Sequence, residues 1–415
     1  MKQPPMTATV VGNSNNILDT TMLSLVGEFN TQVNEILGYV RLTRDDVLEL
    51  QLLFDDLRAI FGKIWPGCTV EPFGSITTGL GIKTSDVDCY IGIYTADRPP
   101  PAACAQEARQ LLRRHKHLFT KILAILKAKV PIVKFHYLPT RTDCDISFSS
   151  PASVYNSELV SHLLNMDERI LPLTIIIKYW AKLNNLTGTN FMSNYCLSLL
   201  VLFYLQQREI VPPVFTLQQN VAPSSVDCWN MSFDTQEVYT TNNKETLYSL
   251  LGGFFQYYKN FAFNKYVISL YHGKVIDKEL FRRGEMYSQF EQYYTNLQNK
   301  VCKEIVMKSP MCVQDPFNHS RNVAISVHNR LYINIMNCIR NASAVYDNED
   351  VTDFLPKLLL NHPPNRPLKH MPNRNMNTNR GIAKNNYNKQ KFGNAKIKQN
   401  IQMSRKYYQN QFKRK

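Results

Sequence analysis

Apolar residues recur near a 3.6-residue period between residues 16 and 45, at Leu18, Met22, Leu25, Val26 and Phe29, and predict a first helix. A second is expected to start after Thr43 as N-cap, run through VLELQLLFDDLRAIFGKIW and stop at Pro66-Gly67. The pattern then changes to short β-branched and aromatic stretches, TVEPFGS, SDVDCYIGIY, VPIVKFHY and CDISFSS, which predict strands. Between the second and third, a PPP loop at 99–101 leads into AQEARQLLRRHKHLFTKILAILKAK, which reads as one basic helix. From Ser153 to about Leu360 long apolar-faced helices dominate, in DERILPLTIIIKYWAKLNN, NYCLSLLVLFYLQQ and KETLYSLLGGFFQYYKNF. The expected fold class is α+β, a small mixed sheet followed by a helical domain. The boundaries drawn are 1–45 for an N-terminal helix packing on the helical domain, 46–150 for the sheet domain, 151–360 for the helical domain and 361–415 for a tail.

Charge sharpens the last boundary. The net charge is +15, but residues 361–415 hold 14 Lys or Arg and no Asp or Glu, which leaves 34 basic against 33 acidic groups in the rest. The body is close to neutral, so the basic pI belongs to the tail, and RNA affinity is expected from the cleft and the tail together. With 12 Asn and almost no aliphatic residues, the tail cannot bury enough surface to offset its ordering entropy, so disorder is expected. Its Tyr387, Phe392, Tyr407, Tyr408 and Phe412 suit loose stacking on single-stranded bases; a solvated extension or a nuclear localisation signal is the alternative. Nine scattered cysteines without a C-x-x-C pair argue against structural zinc. With no apolar leader visible, they fit a reducing compartment, so a cytoplasmic protein is expected, with the nucleus as the alternative the tail allows. The longest apolar run, residues 195–205, is too short to span a bilayer and reads as a core helix.

The stretch FGSITTGLGIKTSDVDCYIGI (73–93) carries the chemistry. In a strand, Asp86 and Asp88 point to one face, where two close carboxylates repel. A hard divalent cation resolves that repulsion, since Mg²⁺ takes one or two carboxylates and completes its shell with substrate phosphates and water. The preceding turn, with Gly74-Ser75 and the permissive Gly79 and Gly81, lets backbone N–H groups approach a phosphate. A nucleoside triphosphate with Mg²⁺ is the inferred ligand. A two-metal site needs a further carboxylate, and RTDCDISF offers both Asp143 and Asp145.

The order G-S, D-V-D, C-D-I-S-F, K-Y-W-A-K and V-Q-D-P-F, over roughly residues 70–330, resembles the template-independent RNA terminal nucleotidyltransferases of the DNA polymerase β superfamily. These comprise terminal uridylyltransferases and non-canonical poly(A) polymerases. The resemblance implies a palm-type catalytic domain with a PAP-associated helical domain, Asp145 as third catalytic carboxylate, and Asp86, Asp88 and Asp145 as ligands of Mg²⁺ or Mn²⁺. It further implies triphosphate contact by Gly74 and Ser75, ribose contact by Asn156 and Ser157, and phosphate contact by Lys178, Lys182 and Ser193. Asp167 and Arg169 match a structural D-x-R of the family. Lys178 and Lys182 are four apart on one helix face, so a solvated amphipathic face is the plainer account. Tyr195 matches the tyrosine that stacks on the incoming base, a core tyrosine being its plainer account. In VQDPFNHSRNVA, Asp315 matches the family's acidic residue beside the base edge, and Arg321 stands where many uridylyltransferases place a histidine, with His319 as a weaker substitute.

The implied reaction is attack of an RNA 3′-OH on the α-phosphate of a ribonucleoside triphosphate. UTP is favoured by the length of the 313–324 loop, with ATP as runner-up. A catalytically silent RNA-binding scaffold of the same fold is the alternative from another class. RNA and nucleotide are the expected partners, of a monomer with no membrane association.

Overall fold

The structure, a computed structural model, describes residues 17–95, 97–236, 239–285 and 287–360. The tail expected to be disordered lies outside these residues. Helix α1 spans Phe29–Val40, after a single 3₁₀ turn at Thr20–Met22. The long helix expected from residue 16 is absent there, and Met22 and Val26 lie on the surface, 73% and 74% exposed. The second expected helix is divided into α2 (Arg44–Glu49) and α3 (Gln51–Phe61), with Thr43 and Asp46 forming a reciprocal capping box.

Strand β1 (Thr69–Phe73), a one-turn helix α4 (Ser75–Thr78) and strand β2 (Val87–Gly92) follow. Helix α5 (Pro101–Arg114) then leads to β3 (Phe119–Ile125), β4 (Ile132–Tyr137) and β5 (Thr142–Ser147). The single helix expected over AQEARQLLRRHKHLFTKILAILKAK is therefore half helix and half strand. The five strands lie in the order β1-β2-β5-β4-β3, with β2 and β5 parallel and the other neighbours antiparallel. One face packs Val87, Cys89, Ile91, Val133, Phe135, Cys144 and Ile146 against α3 and α5 through Leu53, Leu57, Phe61, Ala108 and Leu112. Each fully buried Val, Leu, Ile or Phe among these contributes roughly 1.5–3 kcal/mol. The opposite face carries Asp88, Asp145, Lys134 and His136, together with Tyr90.

The helical part comprises α6 (Ala152–Leu164), α7 (Ile170–Leu183), α8 (Asn194–Gln207), α9 (Val214–Gln218) and α10 (Leu247–Lys259). Further on come α11 (Lys278–Arg283), α12 (Glu291–Gln298), α13 (Asn329–Asn348) and α14 (Val351–Leu359). Helices α7 and α8 are apolar nearly all round and form its core. Helix α1 packs on α7 and α14, with Gln32 donating to the Thr352 carbonyl of α14 (2.7 Å), and Tyr179 on α7 ties down the chain before α1 by donating to the Ile17 carbonyl (2.6 Å). Helices α10 and α13 approach so closely that a Cβ at Gly252 meets the Tyr346 ring at 2.1 Å. Arg169 binds Asp167 and reaches the Glu245 carbonyl at 2.6 Å, tying the start of α7 to the chain before α10, as expected of a structural pair.

Two small sheets complete the chain. A short hairpin is made by β6 (Ser225–Val226) and β7 (Trp229–Asn230), and a three-stranded sheet by β8 (Tyr266–Ser269), β9 (Lys274–Asp277) and β10 (Val313–Gln314). Among the described residues no helix is long and apolar enough to cross a membrane.

Candidate active site

The parallel pairing of β2 and β5 sets Asp88 beside Asp145 in register. The strand begins only at Val87, so Asp86 precedes it, yet Asp86 and Asp88 still flank the buried Val87. Between the two candidates left open by spacing, geometry separates Asp145 from Asp143. Asp145 is 19% exposed and ion-paired to Lys134, its cross-strand partner on β4, whereas Asp143 is 62% exposed and meets His136 Nδ1 at 2.7 Å. Burial, then the charges of Asp145 and Asp86, push the Asp88 carboxyl up to about 7. Burial and Asp145 also raise Asp86. Burial alone lowers Lys134, but the hydrogen bond and charge of Asp145 outweigh it. A pocket of about 200 Å³ opens here, lined by Asp86, Lys121, Lys134, Phe135, Asp143, Cys144 and Asp145.

Gly74 lies at φ 78°, and a Cβ on it would stand 2.8 Å from Asp88 Oδ2. Both the left-handed backbone and the approach to Asp88 therefore require glycine. The Gly74 amide is not left open for a phosphate as expected; it donates to Ser157 Oγ at 2.8 Å, and that hydroxyl donates to the Ser153 carbonyl. Ser157 thus anchors the loop to α6. Ser75 follows as the first residue of α4.

On α7, the two lysines share a face but differ in environment. Lys178 is buried and donates to the Leu80 carbonyl at 2.6 Å and to Ser85 Oγ at 3.4 Å. Burial, then Lys182, lowers it to about 7. Lys182 is less enclosed; burial lowers it while Asp86 opposes that shift. The solvated face that spacing allowed does not describe Lys178. Ser193 caps α8 by accepting from the Cys196 amide at 3.1 Å, which leaves its hydroxyl proton to donate.

Asp315 follows β10, buried, and its carboxylate is the meeting point of the expected base-side residues. Its Oδ1 accepts from the amides of Phe317 and Asn318 at 3.1 and 3.0 Å. Its Oδ2 faces Asn156 Nδ2 at 3.5 Å, Tyr195 Oη at 3.4 Å and Arg321 Nη1 at 3.3 Å. The Arg321 guanidinium lies 5.9 Å from the centre of the Tyr195 ring. His319 does not replace the missing imidazole. It is buried among Trp229, Tyr271 and Phe290, with ring centres 5.4, 4.1 and 5.1 Å away, and burial pushes it down to about 3. Asn322 holds the loop closed, accepting from the amides of Val313 and Ala324 and donating to the carbonyls of Val306 and Met311.

Residues 29–165 match the family model described as the mitochondrial-like poly(A) RNA polymerase central palm domain, and residues 246–321 match that of the Cid1 family poly A polymerase. Together they cover about half of the chain. The chain belongs to the terminal nucleotidyltransferase family. Among curated relatives of this family, the chain is 26% identical to the speckle targeted PIP5K1A-regulated poly(A) polymerase of Danio rerio, over 72% of this chain and 43% of the relative. It is 27% identical to terminal uridylyltransferase 7 of Homo sapiens, over 83% of this chain and 22% of the relative. The chain thus spans less than half the length of either. The crystal structure of mtPAP in complex with UTP superposes with a TM-score of 0.70 at 23% identity, covering 86% of this chain and 77% of that one, a likeness of fold.

The carboxylate set fits a divalent cation. Burial, then the charges of Asp145 and Asp86, raise the Asp88 carboxyl against the opposing charges of Lys134 and Lys178, and Lys134 is the one cation ion-paired to the set among the described residues. No three His, Cys, Asp or Glu side chains close into a metal cage among the described residues. An all-protein cage is not what Mg²⁺ demands, because substrate phosphates and water complete its shell. Lys134 was missed from the sequence, since nothing in VPIVKFHY reveals which residue lies across from it. The anchoring role of Ser157 depends likewise on a hydrogen bond 83 residues distant in the chain.

Proposed function

We propose that this chain is an RNA 3′-terminal uridylyltransferase, adding UMP from UTP to RNA without a template. The observation that supports transfer chemistry best is the alignment of Asp88 with Asp145 beside the Gly74 loop. Asp145 orients the acceptor 3′-hydroxyl, and Asp86 and Asp88 face the α-phosphate. Asp86, Asp88 and Asp145 would hold Mg²⁺, which when bound would supply positive charge to lower the hydroxyl's pKa and offset charge on the leaving pyrophosphate. Lys182 presents an ammonium to the triphosphate. Lys178, held on the Leu80 carbonyl, fixes the 80–85 segment that precedes Asp86. Asn156 donates to the ribose, Ser193 donates to a phosphate oxygen, and Tyr195 offers its ring to the base.

Besides the length of the 313–324 loop, Arg321 supports the choice of UTP. A guanidinium carries only donors, so it pairs with the O4 acceptor of uracil and opposes the exocyclic amine of adenine or cytosine. Adenylyl transfer is the second reading, supported by the Asp315 carboxylate, an acceptor an amine could use. Incubating a 5′-labelled RNA and Mg²⁺ with each of the four nucleotides separates them. Extension chiefly by UTP is expected; extension chiefly by ATP would reverse the base choice.

A further inference from the structure

Edge strand β3 carries one residue too many where it meets β4. Thr120 pairs with His136 and Leu123 with Lys134, so Lys121 and Ile122 together oppose Phe135 alone. Residues directly opposite in an antiparallel pair share a face. Phe135 therefore marks the core face, and Lys134 and His136 mark the carboxylate face. In an unbulged strand Lys121 would sit opposite Phe135 and point into the core. The extra residue prevents this, because Ile122 packs against the core in its place. Lys121, at φ 51°, instead lines the pocket of Asp86, Asp143 and Asp145. A left-handed backbone at a non-glycine residue costs on the order of 1–3 kcal/mol, and persists where its surroundings dictate it. Bulges beside active sites commonly re-aim a side chain in this way.

The lysines of the site then fall into two groups. Lys178 and Lys182 come from α7, on the side assigned to the triphosphate. Lys121 and Lys134 come from β3 and β4, beside Asp145. Lys134 is engaged with Asp145, while Lys121 makes no ion pair among the described residues. Next to an acceptor hydroxyl at Asp145, the nearest anions are the acceptor's own phosphodiester groups.

We propose that Lys121 binds a phosphodiester of the RNA acceptor just upstream of its 3′ end, holding the terminal hydroxyl over Asp145. This rests on the nucleotidyltransferase reading above. The test compares the full chain with Lys121→Gln and Lys121→Arg, measuring KM for a 3′-hydroxyl RNA oligonucleotide, KM for UTP, and the salt dependence of RNA binding. Loss of one charged hydrogen bond is expected to weaken RNA binding about tenfold. The slope of log affinity against log salt should flatten by about 0.7, the share of one single-strand phosphate. KM for UTP and the melting temperature should not move, and Lys121→Arg should restore RNA binding. Unchanged RNA affinity in Lys121→Gln overturns the proposal, as does a parallel rise in KM for UTP, which would place the lysine on the nucleotide. A wild-type chain that neither binds nor extends RNA overturns the nucleotidyltransferase reading and this proposal with it.

Discussion

Asp88 keeps its carboxylate where burial and two neighbouring carboxylates oppose its charge. With a folded value of about 7 against an ordinary 3.8, the native state binds more protons than the unfolded chain between those pH values. Stability should therefore fall as pH rises through that window, with the whole penalty present above it. Without divalent cation, Asp88→Asn is expected to stabilise the fold at pH 8 by up to about 4 kcal/mol and to change little at pH 4. Denaturant melts at the two pH values check this, and an equal effect at both contradicts it. Arg321 is argued to read the base, so Arg321→Ala should lower the UTP-to-ATP ratio of kcat/KM by about tenfold or more. An unchanged ratio would remove Arg321 from specificity. Asp86 and Asp88 are legible in the sequence because they sit in a short motif with a turn beside it, and Asp315 through the family resemblance of its V-Q-D-P-F loop. Lys134 is not, because an ion pair across two strands depends on a register that no local pattern encodes.

Strand β3 shows why an element can be misread. Its TKILAILKAK segment carries apolar residues at both helical and strand spacings, and the bulge at Lys121 and Ile122 shifts the alternation by one residue. Pairing with β4 decides the outcome, which is a tertiary effect. Parallel pairing of β2 and β5 is equally non-local, yet it chooses Asp145 over Asp143. The loop between β1 and α4 is the reverse case, since a glycine before a serine announces a turn in the sequence alone. Gly74→Ala places a methyl carbon 2.8 Å from Asp88 Oδ2 in a left-handed backbone. Extension activity should drop by at least about a hundredfold, with a loss of about 1–3 kcal/mol in stability. Wild-type activity in this variant would deny the loop its place in the site.

For the whole molecule, the contrast lies between a nearly neutral body and a tail with 14 basic residues. Deleting residues 361–415 should weaken RNA binding and flatten its salt dependence by about 0.7 for each phosphate the tail neutralises. Single-nucleotide addition should survive. A salt slope equal to that of the full chain would confine RNA binding to the body. The mixed class of the fold was legible because strand-like and helix-like periodicities occupy separate stretches of sequence. The convergence of Asn156, Tyr195 and Arg321 on one carboxylate oxygen was not, since it joins three elements from distant parts of the chain. The central claim is that carboxylates aligned by β2 and β5 form a nucleotidyl-transfer site. It is tested most directly by single-turnover extension of a labelled RNA with UTP and Mg²⁺, comparing wild type with Asp145→Asn. Extension by the wild type is expected, with a fall of at least about a thousandfold in the variant, its fold checked by its melting temperature. Equal extension by the two, or none by the wild type with any nucleotide, would contradict the claim.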